Sequence, residues 1–242
     1  MAQDNKLIRS LIESSRNGNN NAFEQLFKMH VGYVYAISIR LLSDFEDANE
    51  NISKVFLEAW KTISMVRIDS PFILWLKAIA VYSSLQKIRE KGTNKTDSNK
   101  QKPSWKELGF LDQEIISLPG TERIVFVLND IEHYQKEEIS DLLSITKEEV
   151  ENFLVNARET IMKTLVIKSN EALERAIKQI PESIEPLGNL YDKIITDISK
   201  INSLDSKKES ELVQDTDLKS IDRKSKQENK RFFFKDLFKK KE

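Results

Sequence analysis

Apolar residues recur every three or four positions along the first part of the chain, which is the period of an amphipathic helix. This pattern predicts a long helix over about residues 20–42 and a second helix from about Asp47 to Trp60. Ser70 and Pro71 predict a third helix start, because serine caps helices and proline fits the first helical position. The apolar stripes consist of Phe23, Leu26, Phe27, Val31, Val34, Tyr35, Ile52, Val55, Phe56, Ala59, Trp60, Ile63, Phe72, Trp75, Leu76, Ile79 and Leu85. We therefore expect three packed helices to form a first domain within residues 1–90.

A polar stretch without apolar periodicity separates this domain from a second one. Residues 91–107 contain Gly, Pro and many Lys, Asn and Ser residues, which is typical of a flexible linker. A short helix with Leu111, Ile115, Ile116 and Leu118 then stops at Pro119-Gly120. Three helices follow over about residues 121–131, 136–143 and 147–167, and the short break before the last one fits a helix-turn-helix. The second domain is thus predicted to be residues 108–168.

Weaker patterns continue beyond the second domain. Apolar residues at helical spacing predict a short helical extension over residues 169–201; they are Leu173, Ile177, Ile180, Leu190, Ile194 and Ile198. Residues 202–242 are polar and predicted to be a disordered, basic and aromatic tail. The predicted fold class is all-α, with two small helical domains joined by a flexible linker and a partly disordered C-terminal extension.

Composition excludes several functional classes. The chain has no Cys and only His30 and His133, so thiolate metal sites and a histidine zinc site lack ligands. Without a Gly-rich phosphate loop or another recognisable catalytic set, we expect no cofactor and no enzymatic activity. No apolar run approaches the ~20 residues of a membrane helix, and no signal peptide is apparent, so we expect a cytoplasmic protein.

Charge is strongly segregated along the chain, although the net charge is only −1. Residues 111–168 carry twelve acidic and six basic side chains, whereas the end of the chain is rich in Lys and Arg. The segment 230–241 interleaves these cations with phenylalanines. It fits contact with an anionic membrane surface, a nucleic-acid backbone or the acidic second domain, and it also fits a plain solvated tail.

Several stretches, taken in order, resemble a known family. They are Ala22-Phe23-Glu24-Gln25-Leu26-Phe27, Val34-Tyr35, Asp47-Ala48, Val55-Phe56-Leu57-Glu58-Ala59-Trp60, Pro71 to Ala80, Leu118-Pro119, Arg123 to Leu128, Glu138-Ile139, Leu142-Leu143 and Ala157-Arg158. Their order and spacing resemble domains two and four of bacterial RNA polymerase sigma factors of the extracytoplasmic-function (ECF) group. The resemblance covers about residues 20–167.

The resemblance implies core RNA polymerase and promoter DNA as partners, and also an anti-sigma factor. The helix after Asp44 would contact the polymerase clamp through Asp47, Glu50, Asn51 and Lys54. The third helix would hold the promoter's minus-ten strand through Trp75, Lys77, Tyr82, Lys87 and Arg89. The helix-turn-helix would read the minus-thirty-five element through Lys147, Asn152, Asn156 and Arg158. Trp75 also fits a core position, since it shares the apolar stripe of its helix.

The chain departs from the family pattern mainly at these contact positions. Val81 and Tyr82 replace a usual Arg-Asn pair, and the recognition helix opens with Glu148, Glu149 and Glu151. Glu149 fits a capping box with Thr146, yet three carboxylates in the turn that meets DNA would repel phosphates. Two hypotheses remain open: an active sigma factor, and a sigma-derived interaction module that has lost sequence-specific promoter recognition.

The membrane hypothesis for the tail makes a direct prediction. Deleting residues 231–242 should reduce cosedimentation with anionic vesicles, because the deletion removes the aromatic and basic side chains that would anchor the chain. Equal cosedimentation of the shortened and full-length chains would exclude a membrane role for this segment.

Overall fold

The computed structural model describes residues 2–66, 71–91, 108–186, 190, 192 and 194–200, and every regular element in them is helical. The all-α fold class is therefore confirmed. The chain divides into two compact units, Met1–Ile194 and Ile195–Glu242, and residues 195–200 of the second unit are helical. The predicted linker beyond Lys91 and the predicted tail lie outside the described residues.

Nine α-helices of the first unit are described from end to end, and residues 190, 192 and 194 are also helical. The nine helices are α1 (Ala2–Arg16), α2 (Asn20–Leu42), α3 (Phe45–Thr62), α4 (Phe72–Lys91), α5 (Phe110–Ser117), α6 (Gly120–Phe126), α7 (Lys136–Leu143), α8 (Lys147–Thr164) and α9 (Asn170–Ile177). A 3₁₀ turn (Ile63–Met65) follows α3, and a π-helical turn (Val127–Ile131) continues α6. We call α1–α4 the first bundle and α5–α8 the second bundle.

Local side chains set the ends of the helices in the first bundle. The Asn19 side chain accepts a hydrogen bond from the N–H of Ala22 and caps α2, and Asp44 caps α3 in the same way. Ser43 ends α2 in the left-handed region, with φ 56°, and its N–H bonds to the Ile39 carbonyl. These polar positions confirm the helix boundary predicted at Ser43-Asp44.

Helix α1 was missed by the sequence analysis, which began the first bundle at Asn20. Leu11, Ile12 and Ser15 are buried, and the Arg16 guanidinium donates to the carbonyls of Ile63 and Val66 after α3. The pattern Leu7, Ile8, Leu11, Ile12 is helical in spacing and could have predicted this element. The first bundle therefore has four helices rather than three.

The predicted apolar stripes form the core of the first bundle. All but Val31 and Trp60, which are half-buried, lie in the interior. Rings from α2 and α3 meet edge to face: Phe27 and Phe56 are 4.7 Å apart, and Phe23 and Trp60 are 5.0 Å apart. Aromatic pairs in this geometry contribute stabilisation beyond that expected from the apolar area they bury.

A buried polar network joins three helices of this core. The Asn51 amide nitrogen of α3 donates to Ser38 of α2 at 2.9 Å and to Ser84 of α4 at 3.0 Å. Its amide oxygen accepts from the Ser83 hydroxyl at 2.6 Å. Because unpaired polar atoms are costly in an apolar interior, this network fixes the register of α2, α3 and α4.

The C-terminal half of α2 has no solvent face. All eight residues from Val34 to Leu41 are buried, which is more than two helical turns. Helices α3 and α4 cover one side, and α2 also packs against α5 and α6 of the second bundle. A helix that is apolar all round is enclosed on all sides, so α2 is the central element of the unit.

The second bundle contains the predicted helix-turn-helix. Helix α7 ends at Ser144 in the left-handed region, with φ 57°, and α8 begins after Thr146. Thr146 and Glu149 form reciprocal hydrogen bonds, so the predicted capping box is confirmed. Val150, Leu154, Ala157 and Ile161 form the buried face of α8.

A segment beyond α9 lies along α2, and we call residues 181–184 the strap. The Ile184 N–H donates to the Gly32 carbonyl at 3.1 Å. A Cβ at position 32 would lie 3.1 Å from the Ser183 Cβ and 3.2 Å from the Ile184 carbonyl oxygen. Glycine inside a helix costs about 1 kcal/mol relative to alanine. The close approach of the strap is the physical reason for glycine here.

His30 is expected to make stability depend on pH. It is buried against Phe72, its Nδ1–H donates to the Leu26 carbonyl, and burial lowers its pKa below the usual 6.5. The unfolded chain therefore binds more protons than the folded chain below pH 6.5, and stability falls as pH falls, by at most about 1.4 kcal/mol per pH unit.

The variant His30→Phe should lose stability less steeply than the natural chain between pH 7 and pH 5, measured by urea unfolding. His133 is exposed, with φ 59°, so His133→Asn is the matched control and should leave the slope unchanged. Identical slopes for the natural chain and His30→Phe would contradict this role of His30.

Candidate functional site

A buried ion pair joins the two bundles. The Arg40 guanidinium of α2 donates through Nε to the Asp112 carboxylate of α5 at 2.8 Å, and both side chains are only 2% exposed. Arg40 Nη2 also donates to the Pro181 carbonyl of the strap at 2.8 Å. Removing one partner of a buried pair generally costs about 3–5 kcal/mol, because the remaining charge is left uncompensated. Arg40 therefore connects the first bundle, the second bundle and the strap.

A second buried guanidinium lies where the C-terminal ends of α2 and α5 meet. Arg123 of α6 donates to the carbonyls of Leu41 at 3.3 Å and Leu118 at 2.9 Å. Ser43 adds a bond to the Ile116 carbonyl at 2.7 Å. Burial lowers the pKa of Arg123 to about 10, so it remains charged at neutral pH. Because both helix ends carry partial negative charge, the cation stabilises their contact.

The predicted polymerase-binding residues of α3 divide into an exposed group and a buried residue. Glu50 and Lys54 are exposed, and Lys54 donates to Gln86 of α4 at 3.2 Å. Asp47 pairs with Lys91, and Lys87 lies between Asp47 and Glu50. The bond from Lys87 lowers the pKa of Glu50. The structure thus brings the predicted polymerase-binding acids and the predicted DNA-binding Lys87 into one charged cluster.

Two predicted contact residues are buried. Asn51 is 1% exposed and its amide is used within the core network, so its side chain is not on the outer face of α3. Trp75 is 6% exposed, with its ring 5.5 Å from that of Phe72. Both side chains therefore belong to the interior and not to a contact surface.

The remaining predicted minus-ten residues of α4 face different surroundings. Tyr82 is 40% exposed, whereas Lys77 pairs with Glu132 of the second bundle at 3.1 Å. The Arg89 guanidinium donates to the Leu142 carbonyl at the end of α7. The second bundle therefore engages two cations that we predicted to bind the promoter strand.

The predicted cations of the helix-turn-helix are also engaged within the chain. Lys147 pairs with Glu137 of α7 at 2.8 Å, and Arg158 bonds to Asp130 of the π-helical turn at 2.9 Å. The bond to Asp130 raises the pKa of Arg158. Asn152 and Asn156 are exposed on α8. These two amides lie on the outer surface of α8, while both cations bind neighbouring carboxylates.

The acidic start of α8 is partly explained by local structure. Hydrogen bonds from Thr146 lower the pKa of Glu149, and the bond from Lys136, 2.8 Å long, lowers the pKa of Glu151. Glu148 is exposed in the same turn. This turn therefore places three carboxylates where a recognition helix would approach phosphates.

Sequence reasoning missed the residues that join the bundles. Arg40 is the single charged residue in the mostly apolar run from Val34 to Leu42, and Gly32 lies inside a long helical pattern. A lone charge in a helix that is apolar all round indicates a buried partner, and a mid-helix glycine indicates close contact with another segment. Both signals were in the sequence, but the partner Asp112 could not be identified without the fold.

Sequence comparison finds relatives among curated proteins. The ECF RNA polymerase sigma factor SigW of Bacillus subtilis is 24% identical over 181 residues, which cover 66% of this chain and 97% of SigW. The RNA polymerase sigma-H factor of Pseudomonas aeruginosa is 22% identical over 179 residues, covering 65% of this chain and 93% of that protein. The chain thus matches both relatives over nearly their full length.

Comparison with solved structures finds the sigma factor RpoE of Bartonella quintana in complex with the anti-sigma factor NepR. The match covers 61% of this chain and 98% of that chain, with 15% sequence identity and a TM-score of 0.43. No family model matches this chain. None of the helices that the structure describes has the length and hydropathy required to cross a membrane.

Reversing charge at the start of α8 tests whether this surface approaches DNA. The double variant Glu148→Lys, Glu151→Lys should bind random-sequence duplex more tightly, with a salt dependence steeper by about 0.9 for each additional phosphate that is neutralised. Glu13 and Glu46 are exposed on α1 and α3, so Glu13→Lys with Glu46→Lys is the charge-matched control. Equal binding by the two double variants would show that the start of α8 stays away from DNA.

Proposed function

We propose that the chain is a divergent member of the ECF group of bacterial RNA polymerase sigma factors and that it directs transcription initiation by binding core polymerase and promoter DNA. The observation that carries this proposal is the match to two sigma factors over nearly their full length. The order of the elements supports it, since a helical bundle precedes a helix-turn-helix of the expected spacing.

The proposed polymerase-binding surface is the exposed edge of α3. Glu50 and Lys54 lie there beside Asp47, with one turn of helix between successive positions. Lys87 and Lys91 of α4 hold the carboxylates in place. A surface with acids and a cation at fixed spacing is suited to a charged partner, whose recognition would weaken at high salt.

The proposed promoter-binding surfaces are α4 and α8. On α4, Tyr82 offers an exposed aromatic face for an unstacked base, and Lys77, Lys87 and Arg89 offer charge for the strand. On α8, Asn152 and Asn156 are exposed amides of the kind that bond to adenine edges. The cations must leave their intramolecular partners before they can neutralise phosphates.

A second candidate function rests on that last observation. All five predicted DNA-binding cations have partners within the chain, and the start of α8 is acidic. A sigma-derived interaction module that has lost sequence-specific promoter recognition would fit this charge arrangement. Its partner would be polymerase or an anti-sigma factor.

Run-off transcription with core polymerase and a genomic promoter library separates the two functions. Defined start sites above background are expected for the sigma factor, together with co-migration of the chain and core polymerase. Polymerase binding without start sites would leave only the interaction module. Absence of both would contradict the sigma function and would leave an anti-sigma factor as the partner of the interaction module.

A charge reversal on α3 tests the polymerase surface. Lys54→Glu should weaken polymerase binding about tenfold, which is about 1.4 kcal/mol, and lower transcription in proportion, because it reverses a charge of the proposed surface. Lys6 is exposed on α1, so Lys6→Glu is the matched control and should bind normally. Polymerase titrations at two salt concentrations measure the effect, and equal affinity of the two variants would exclude this edge of α3.

A further inference from the structure

We propose that the strap is an intramolecular inhibitor, which locks the two bundles together and thereby keeps cations of α4 away from DNA. The inference rests on the proposed function only for the identity of the ligand, a promoter strand. The lock itself follows from contacts among α2, α5 and residues 181–184.

The strap is anchored on α2 at two points. Its Pro181 carbonyl accepts from Arg40, and its Ile184 N–H donates to the Gly32 carbonyl. Positions 32 and 40 are separated by about 12 Å along a helix axis, and three extended residues span about 10 Å. The strap therefore runs antiparallel to α2 between these anchors, and the missing side chain at Gly32 provides the space it occupies.

The first anchor links the strap to the contact between the bundles. A buried ion pair is stable only when further hydrogen bonds satisfy its remaining donors and acceptors. In this chain the strap supplies such a bond to Arg40, whose Nε is paired with Asp112. Releasing the strap leaves a buried guanidinium donor without that acceptor, which weakens the attachment of the second bundle to α2.

The attachment has a consequence for the proposed DNA surface. While the bundles are together, Glu132 neutralises Lys77 and the carbonyl end of α7 holds Arg89. Both partners belong to the second bundle and the turn that continues α6, so separating the bundles frees two cations on one helix. Release of the strap thus converts α4 from a surface engaged within the chain to one available for phosphates.

The test uses full-length variants that remove the second anchor from either side. Gly32→Gln introduces a good helix former into α2 but fills the space of the strap, and Ile184→Pro removes the donating N–H and leaves α2 unchanged. Met29 on the same helix is 40% exposed, so Met29→Gln is the matched control. Having both variants covers the case in which one of them fails to fold.

Two readouts are measured on each variant. The chain contains no cysteine, so Lys61→Cys and Glu159→Cys, both at exposed positions on different bundles, accept spin labels for a distance measurement. Binding to a random-sequence duplex is measured across a salt series. Relative to the natural chain and Met29→Gln, both strap variants should give longer and broader distances and bind DNA about tenfold more tightly at low salt, with a slope steeper by about 1.8 for two neutralised phosphates.

The outcomes separate the lock from the proposed function. Unchanged distances in both strap variants would overturn the lock, and longer distances with unchanged DNA affinity would overturn the masking of Lys77 and Arg89. Neither readout involves polymerase or a promoter. A failure in run-off transcription would therefore remove the sigma function and leave the distance result intact.

Discussion

The arrangement of this protein depends on a charge that is held in its interior. Arg40 lies within an apolar run of α2, and its buried guanidinium carries several N–H donors that need partners in the interior. The chain must therefore bring it a carboxylate and further acceptors, which come from α5 and the strap. Meeting that requirement places the second bundle against α2 and explains why eight successive residues of one helix are buried.

Around this pair, the unit uses polar contacts to position its helices and apolar contacts to stabilise them. Asn51 fixes the register of α2, α3 and α4 in the first bundle, and Arg123 links the C-terminal ends of α2 and α5. Polar pairing also governs the surface, where every cation predicted to bind DNA has a partner from its own chain. Intramolecular contacts therefore occupy the same side chains that the proposed ligands would bind.

Much of the fold followed from the sequence, and the reasons are local. Helix boundaries such as Ser43-Asp44 and the capping box at Thr146 depend on neighbouring residues, so periodicity and capping rules predicted them. The core stripes were also largely right, because one apolar face must be buried whichever partner covers it. Helix α1 was missed, although Leu7, Ile8, Leu11 and Ile12 have the spacing of a helix.

The candidate site was harder to predict, because its geometry depends on long-range contacts. Asn51 and Lys54 lie on the same helix, yet one joins the core and the other is exposed. Family resemblance places both at a contact surface, and only the packing of Ser38 and Ser84 shows where the Asn51 amide points. Similarly, nothing local pairs Lys77 with Glu132, which is 55 residues away.

The position of Arg123 also bears on how the chain can be dissected. Its guanidinium belongs to the second bundle, but one of its acceptors is the Leu41 carbonyl of α2. A fragment starting after the predicted linker would contain Arg123 without its Leu41 acceptor and Asp112 without Arg40. The complementary fragment would contain Arg40 without its counter-ion. Each fragment would lack buried polar contacts that the intact chain has, so isolated fragments would not reproduce the behaviour of the intact protein.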